Sequence, residues 1–469
     1  MPSHTRLSPW SWLLLGMLAA LALVRGAGFV LHRPLLALAN NYDQIRYSVC
    51  LDLAPWRPGE PADRANPQAP LSRYAFQPLP ADVCVWTSDL LFTAPVALAW
   101  RLSEHLGSRT VHSVQRLGEW RLLLWLLVAA AATAAFVRAG RPDIAAAHLL
   151  WLALVGMDPA NLVYFPTFYA EAAALFGFYL CTIAGAVALL RPTLLALAGA
   201  ALGAAILAGS KFQHLLLPLL LGAALWLGGG RATRHVALAV GLGGLLGFAL
   251  QVGNVVRDTP TMQGIATTNR ANFVLSVLLP ETGDRERVER VLGLEAECAA
   301  YAGANVYAMP LPVGQICTRA AHWSALQPWW LLLSDPPALA RALARVPALL
   351  LPWIPPLGLV EGGEHAPLPP GQPSLSGLFG ADRSIALALL LLPWLLFAGC
   401  RVRRAAPAAR AFALMCASGS SGVALVALFG DGDVEFAKHA QLSLDYALAS
   451  LGLPLVAVLR RFALLETRP

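Results

Sequence analysis

A chain of 469 residues that is 57% hydrophobic and only 13% charged lacks the polar surface of a soluble protein of its size. Its long unbroken apolar runs point to membrane helices and away from the short alternating segments of a β-barrel. The net charge of +7 comes from basic residues dispersed among short inter-helix loops, as membrane topology demands, so no nucleic-acid partner is expected.

Ten spans are predicted, near 10–31, 119–137, 143–157, 168–190, 193–209, 212–228, 235–252, 384–399, 410–429 and 442–459. This makes the chain an all-α polytopic membrane protein, with both termini in the cytoplasm and two long extracytoplasmic loops. Charge supports the count. The loops assigned to the cytoplasm hold thirteen arginines, from Arg6 to Arg468, against the acids Asp143 and Glu466, a strong positive-inside pattern. Three regions follow: a membrane module over 1–252, an extracytoplasmic cap over 253–383 and the last helices over 384–469. The first span carries no small-residue cleavage site and is read as retained. The arginine and alanine bias fits a GC-rich bacterial genome and hence a bacterial inner membrane. Only two of the 34 basic residues are lysines, Lys211 and Lys438, and each has a histidine close by.

In chain order, the first outer loop, 32–118, opens on Asn40-Asn41-Tyr42-Asp43. Asp43 is its first carboxylate, flanked by Arg33 and Arg46, at the depth where a lipid-borne substrate presents its polar head. The same position also suits an ordinary polar loop start. Residues 88–106 mix Pro95, Arg101 and Glu104 into an amphipathic pattern and are predicted to lie in the interface. The stretch from Asp158 to Glu171 joins the third and fourth spans and brings Tyr164 and Tyr169 to the outer rim. Glu171 stands inside the start of an apolar helix, where a carboxylate is costly and usually functional, although an acid in a first turn also complements the helix dipole. Lys211 and His214 follow, about one helical turn apart. They suit a phosphate-like anion, or equally a lysine snorkelling to headgroups.

Within 253–383, residues 281–300 read as a charged helix, 346–359 as interfacial or re-entrant, and Trp329 and Trp330 as interface anchors or cap residues. Between the last two spans, Asp431, Asp433 and Glu435 alternate as the ligands of a divalent metal could, with a solvated acidic turn the blander alternative. Lys438 and His439 stand beside them as further anion contacts. Cys50 and Cys84 share the first outer loop and Cys298 and Cys317 the second, whereas Cys181, Cys400 and Cys416 fall in or beside spans. Two disulfides, Cys50–Cys84 and Cys298–Cys317, are therefore predicted in an oxidising compartment. Phosphate-binding loops, nucleophile elbows and zinc-protease pairs are missing from the sequence.

This layout resembles the GT-C class of integral-membrane glycosyltransferases, and within it bacterial hexosyltransferases of surface-layer and cell-surface glycan synthesis. The residues that carry the likeness are NNYDQIR at 40–46, DPANLVYFPTFYAE at 158–171 and GDGDVEFAKH at 430–439. The resemblance implies a polyprenyl-phosphate sugar donor, a glycan or lipid acceptor and an inverting transfer, with Asp43 as general base. Glu171 and Asp158 would assist the base or bind sugar hydroxyls. Lys211, His214, Lys438 and His439 would stabilise the leaving phosphate, and Tyr164, Tyr169 and Arg46 complete the candidate contacts. A divalent metal is left open. A flippase or a ligase of lipid-linked saccharides is the alternative, although polarity here is one-sided across the membrane.

Overall fold

The computed structural model describes residues 6–39, 44–56, 72–324, 326–350, 358–359, 373–375, 382–461 and 467–468. Among the described residues, seven helices are long and apolar enough to cross a membrane. They are α1 (Pro9–Val30), α3 (Gln115–Arg138), α5 (Ala170–Leu190), α8 (Arg231–Arg257), α13 (Arg383–Val402), α14 (Pro407–Asp431) and the pair α15 (Gln441–Ser450) and α16 (Gly452–Arg461). The other three predicted spans fold as shorter apolar helices: α4 (Pro142–Trp151), which continues as a π-helical turn over Leu152–Gly156, α6 (Leu194–Ser210) and α7 (Leu217–Gly228). Local chemistry sets the starts. Ser8 caps α1 by accepting from Ser11 N with Pro9 in the first turn, and Thr193 caps α6 through Ala196 N.

Helices α5, α6 and α8 pack at glycines, as apolar helices do when only close backbone contact holds them together. A Cβ on Gly203 would lie 2.3 Å from the Cys181 nitrogen, and one on Gly243 would lie 2.0 Å from the Ala201 oxygen. The opposite faces carry apolar side chains outward. Leu194 and Leu195 are each 84% exposed, which suits lipid and not water.

The bundle has two chemically distinct ends. At one end Asp143 joins Arg141 (2.9 Å) and Arg460 (2.8 Å), and Arg6–Leu7 pairs as an antiparallel strand with Thr467–Arg468. These are the loops expected to share the cytoplasmic side. At the other end lie Glu171, Lys211 and the 430–439 loop, where Gln213 Nε2 donates to the His439 carbonyl at 2.9 Å.

Between α1 and α3, the described residues hold more regular structure than the sequence suggests. Strands Leu53–Pro55, Arg73–Phe76 and His112–Ser113 form a small antiparallel sheet. The expected interfacial segment is helix α2 (Leu90–His105), anchored to the end of α6 where Thr87 Oγ1 donates to Ser210 O (2.8 Å) and Ser88 Oγ to Ile206 O (2.6 Å). After α8 comes a run of helices including α9 (Pro260–Phe273), α10 (Arg285–Leu292), α11 (Leu326–Leu333) and α12 (Pro336–Leu349), of which α9 packs against α14 and α12 against α13. Trp329 Nε1 donates to Phe429 O at 2.7 Å, while Trp330 stays exposed, so of this pair Trp329 ties the cap to α14.

Both predicted disulfides are present, Cys50–Cys84 and Cys298–Cys317, and Cys181, Cys400 and Cys416 are free. In the chain-entropy account, closing loops of this length stabilises by about 3–4 kcal/mol each. Peptide mapping without reductant is expected to recover these two cross-links and three alkylatable thiols. Free thiols at Cys50, Cys84, Cys298 and Cys317 would refute the pairing.

Candidate functional site

The first turn of α5 sets the centre of the cluster. Glu171 is 5% exposed, and its Oε1 accepts from the Lys211 ammonium in a short ion pair. Lys211 reaches it because the chain turns extended where α6 ends. The second oxygen of Glu171 has no partner. One turn onward, buried His214 meets Ser210 Oγ through Nδ1 at 3.0 Å, and its Nε2 is unpartnered.

The 430–439 loop closes over this cluster. Its short helix Phe436–His439 buries Lys438, which pairs with Glu435 and lies 5.3 Å from the centre of the Tyr169 ring. That ring meets Tyr164 edge-on at 5.9 Å. Burial, reinforced by the charge of Glu171, raises the Tyr164 hydroxyl well above the ordinary tyrosine range, so it serves as a hydrogen-bond donor and not as a base. His439 Nε2 faces Asp431 at 3.4 Å while Nδ1 is unpartnered.

The acids of this loop are each engaged by a neighbouring side chain. Asp431 accepts from Asn272 Nδ2 (2.7 Å), Asp433 pairs with Arg345 (3.1 Å), and Glu435 takes Lys438. Among the described residues, no three His, Cys, Asp or Glu side chains gather as a metal would require.

The structure therefore brings together Glu171, Lys211, His214, Tyr164, Tyr169, Lys438 and His439. Asp158 stands apart. It is fully buried and caps a short helix through Ala160 N (2.9 Å), and it also accepts from Ser374 Oγ (3.0 Å) and Leu375 N (2.8 Å), with Arg25 at 3.7 Å. Burial pushes its carboxyl above the usual range against these hydrogen bonds. Arg46 sits on the short helix Ile45–Ser48, its carbonyl accepting from Val85 N at 2.9 Å. Asp43 lies outside the described residues.

Sequence reasoning missed one buried ion pair that shapes the site. Asp89, just ahead of α2, takes both contacts from Arg121 Nη2 at 2.7 and 2.6 Å. Arg121 Nη1 donates to the Phe165 and Thr167 carbonyls at 2.6 Å each and so fixes the turn that delivers Tyr169 and Glu171. Burial pushes the Asp89 carboxyl up to about 6 while the Arg121 guanidinium opposes the rise, which leaves the pair ionic at neutral pH. A signal existed: Arg121 stands just inside an apolar span, where a charged side chain is costly and needs a partner.

Chemically, the cluster offers two ammonium groups for an anion, and a carboxylate oxygen and an imidazole nitrogen without hydrogen-bond partners. A protonated phenol completes it. All are held at the end of an apolar bundle. Comparison with protein-family models, curated proteins and solved structures finds no match to this chain.

Proposed function

We propose that this protein is a membrane glycosyltransferase that moves a hexose from a polyprenyl-phosphate donor to a glycan or lipid acceptor outside the cytoplasm. The observation that carries the reading is the gathering of Lys211, Lys438, His214, His439 and Glu171 at one end of a bundle of apolar helices. A phosphate anchored by a lipid tail presents itself at that depth. The ammonium groups stabilise the charge that grows on the phosphate as it leaves, because preorganised charges in a water-poor site act strongly on developing charge. The acceptor hydroxyl gives its proton to Asp43 as its oxygen attacks the anomeric carbon, the carbon–phosphate oxygen bond breaks and the configuration inverts. Glu171, with one open oxygen, binds a sugar hydroxyl beside it. The arginine-rich end faces the cytoplasm of a bacterial inner membrane, all ten helices cross, and the cluster faces outward.

The test is incubation of purified protein with polyprenyl-phosphate hexoses and an acceptor extract, with release of free carrier phosphate as the readout. Lys211→Ala and Lys438→Ala are each expected to raise the donor KM by roughly ten- to a hundredfold, the worth of one lost charge-assisted hydrogen bond. Each variant also leaves a carboxylate without its ion-pair partner, so melting is read alongside. Lys211→Arg keeps the charge and should preserve the fold while restoring only part of the donor use, because guanidinium is not a compact point charge. Unchanged donor kinetics in both alanine variants would sink the phosphate role.

A further inference from the structure

At the end of the bundle opposite the candidate site, a cavity of about 810 Å³ opens between α4 and α5 on one side and α13, α14 and α16 on the other. Its walls are apolar, with Trp151, Phe178 and Phe412 prominent, and its rim carries three guanidinium groups, Arg141, Arg403 and Arg460. Among the described residues, no acidic side chain lines it. Asp143 sits behind the rim and is shared by Arg141 and Arg460 at 2.9 and 2.8 Å, so the rim keeps a net positive charge. One wall hydroxyl, Oγ1 of nine-tenths buried Thr182, has no protein partner. Leu395, also in the lining, is 67% exposed, so the cavity opens toward the lipid-facing surface.

We propose that this cavity binds an anionic diacyl phospholipid, with its phosphate on the arginine rim and an acyl chain in the apolar interior. Depth argues for this occupant. Trp151 lies roughly 15 Å along the helix from Arg141, and Leu395 roughly 12 Å from Arg403, at 1.5 Å per residue. One leaflet of a hydrocarbon core ~30 Å thick is of the same depth. A lipid of the leaflet on the arginine side fills such a space from its own headgroup level. A carrier lipid whose phosphate sits at the far end would bring only the remote part of its tail, with nothing for the arginines. Charge argues in the same direction, since planar guanidinium groups pair with phosphate in a bidentate manner and basic pockets between membrane helices collect anionic headgroups. The site is independent of the transferase reading, since it uses none of that cluster's residues.

The test is lipid titration of the delipidated full-length protein by native mass spectrometry, with dioleoyl phosphatidylglycerol, dioleoyl phosphatidylcholine and polyprenyl phosphate as probes. Phosphatidylglycerol is expected to bind roughly tenfold more tightly than phosphatidylcholine, whose tails are identical, as expected for a rim with a net excess of basic groups. Arg403→Gln, chosen because Arg403 is exposed and the ion pairs of Asp143 stay intact, should remove most of that preference without lowering the melting temperature. Ala409→Phe, which fills the cavity and leaves the charges alone, should weaken both phospholipids. Equal binding of the two phospholipids, or an undiminished preference in Arg403→Gln, would overturn the proposal. So would polyprenyl phosphate displacing phosphatidylglycerol in the wild type but not binding to Ala409→Phe, because the cavity would then hold the carrier's tail.

Discussion

Asp43→Asn is expected to lower the turnover of hexose transfer by ~10²–10⁴-fold, the usual loss when an acid–base group is removed. The substitution keeps the size and most of the hydrogen-bonding capacity of the side chain and removes only its basicity. Donor binding should survive, because the contacts proposed for the phosphate belong to Lys211, Lys438 and their histidines. The protein should also elute and melt as wild type. Rapid-quench turnover with a polyprenyl-phosphate hexose, together with donor affinity measured separately, separates the two effects. The comparison variant is Glu171→Gln. If Asp43→Asn stays active while Glu171→Gln is dead, the open oxygen of Glu171 is the base and Asp43 is a loop residue. Asp158→Asn belongs to a different category. Its carboxylate caps a helix and is occupied by Ser374, Leu375 and Arg25, so its removal should reduce stability by at least about 1 kcal/mol, the worth of a lost cap, before it affects turnover.

Arg121→Gln is expected to be the most damaging single change to stability, at about 3–5 kcal/mol, because it strands a buried carboxylate. Asp89 is 1% exposed, and its carboxylate is held in an ion pair by Arg121. Arg121 also serves the Tyr164, Phe165 and Thr167 carbonyls, so the turn ahead of Glu171 should loosen and activity should fall with the fold. The double variant Asp89→Leu with Arg121→Met removes both charges and should recover part of the loss, since replacing a buried pair by apolar groups is often neutral. Recovery should stop short of wild type because the Phe165 and Thr167 carbonyls lose their Arg121 donor, whereas the Tyr164 carbonyl keeps Thr167 Oγ1. Melting of the detergent-solubilised variants decides this. A melting temperature unchanged in Arg121→Gln would mean that water reaches Asp89 and that the pair does not organise the site.

The sequence by itself determined where the apolar helices lie and predicted which short loops gather arginines. Both follow from solvent partition: a run of about twenty apolar residues belongs in hydrocarbon wherever it occurs, and arginines collect on one side of it. The same logic marked Glu171, Lys211 and Lys438, since an ionisable group at the end of an apolar helix is conspicuous without any fold. The disulfides were legible because each of the two long loops holds one pair of cysteines. Only the tertiary structure decided the partners. Glu171 and Lys211 are forty residues apart and meet because α5 and α6 pack at Gly203. Asp89 and Arg121 looked like unrelated charges of an interfacial stretch and a span until α2 lay against α3. Asp158 and Glu171 are equivalent acids in one motif, yet one is consumed as a cap and the other faces the cluster with an open oxygen. Hydropathy is a property of a segment and can be summed along the chain. Pairing depends on distances of a few ångströms between segments remote in sequence, and those exist only once the helices have packed.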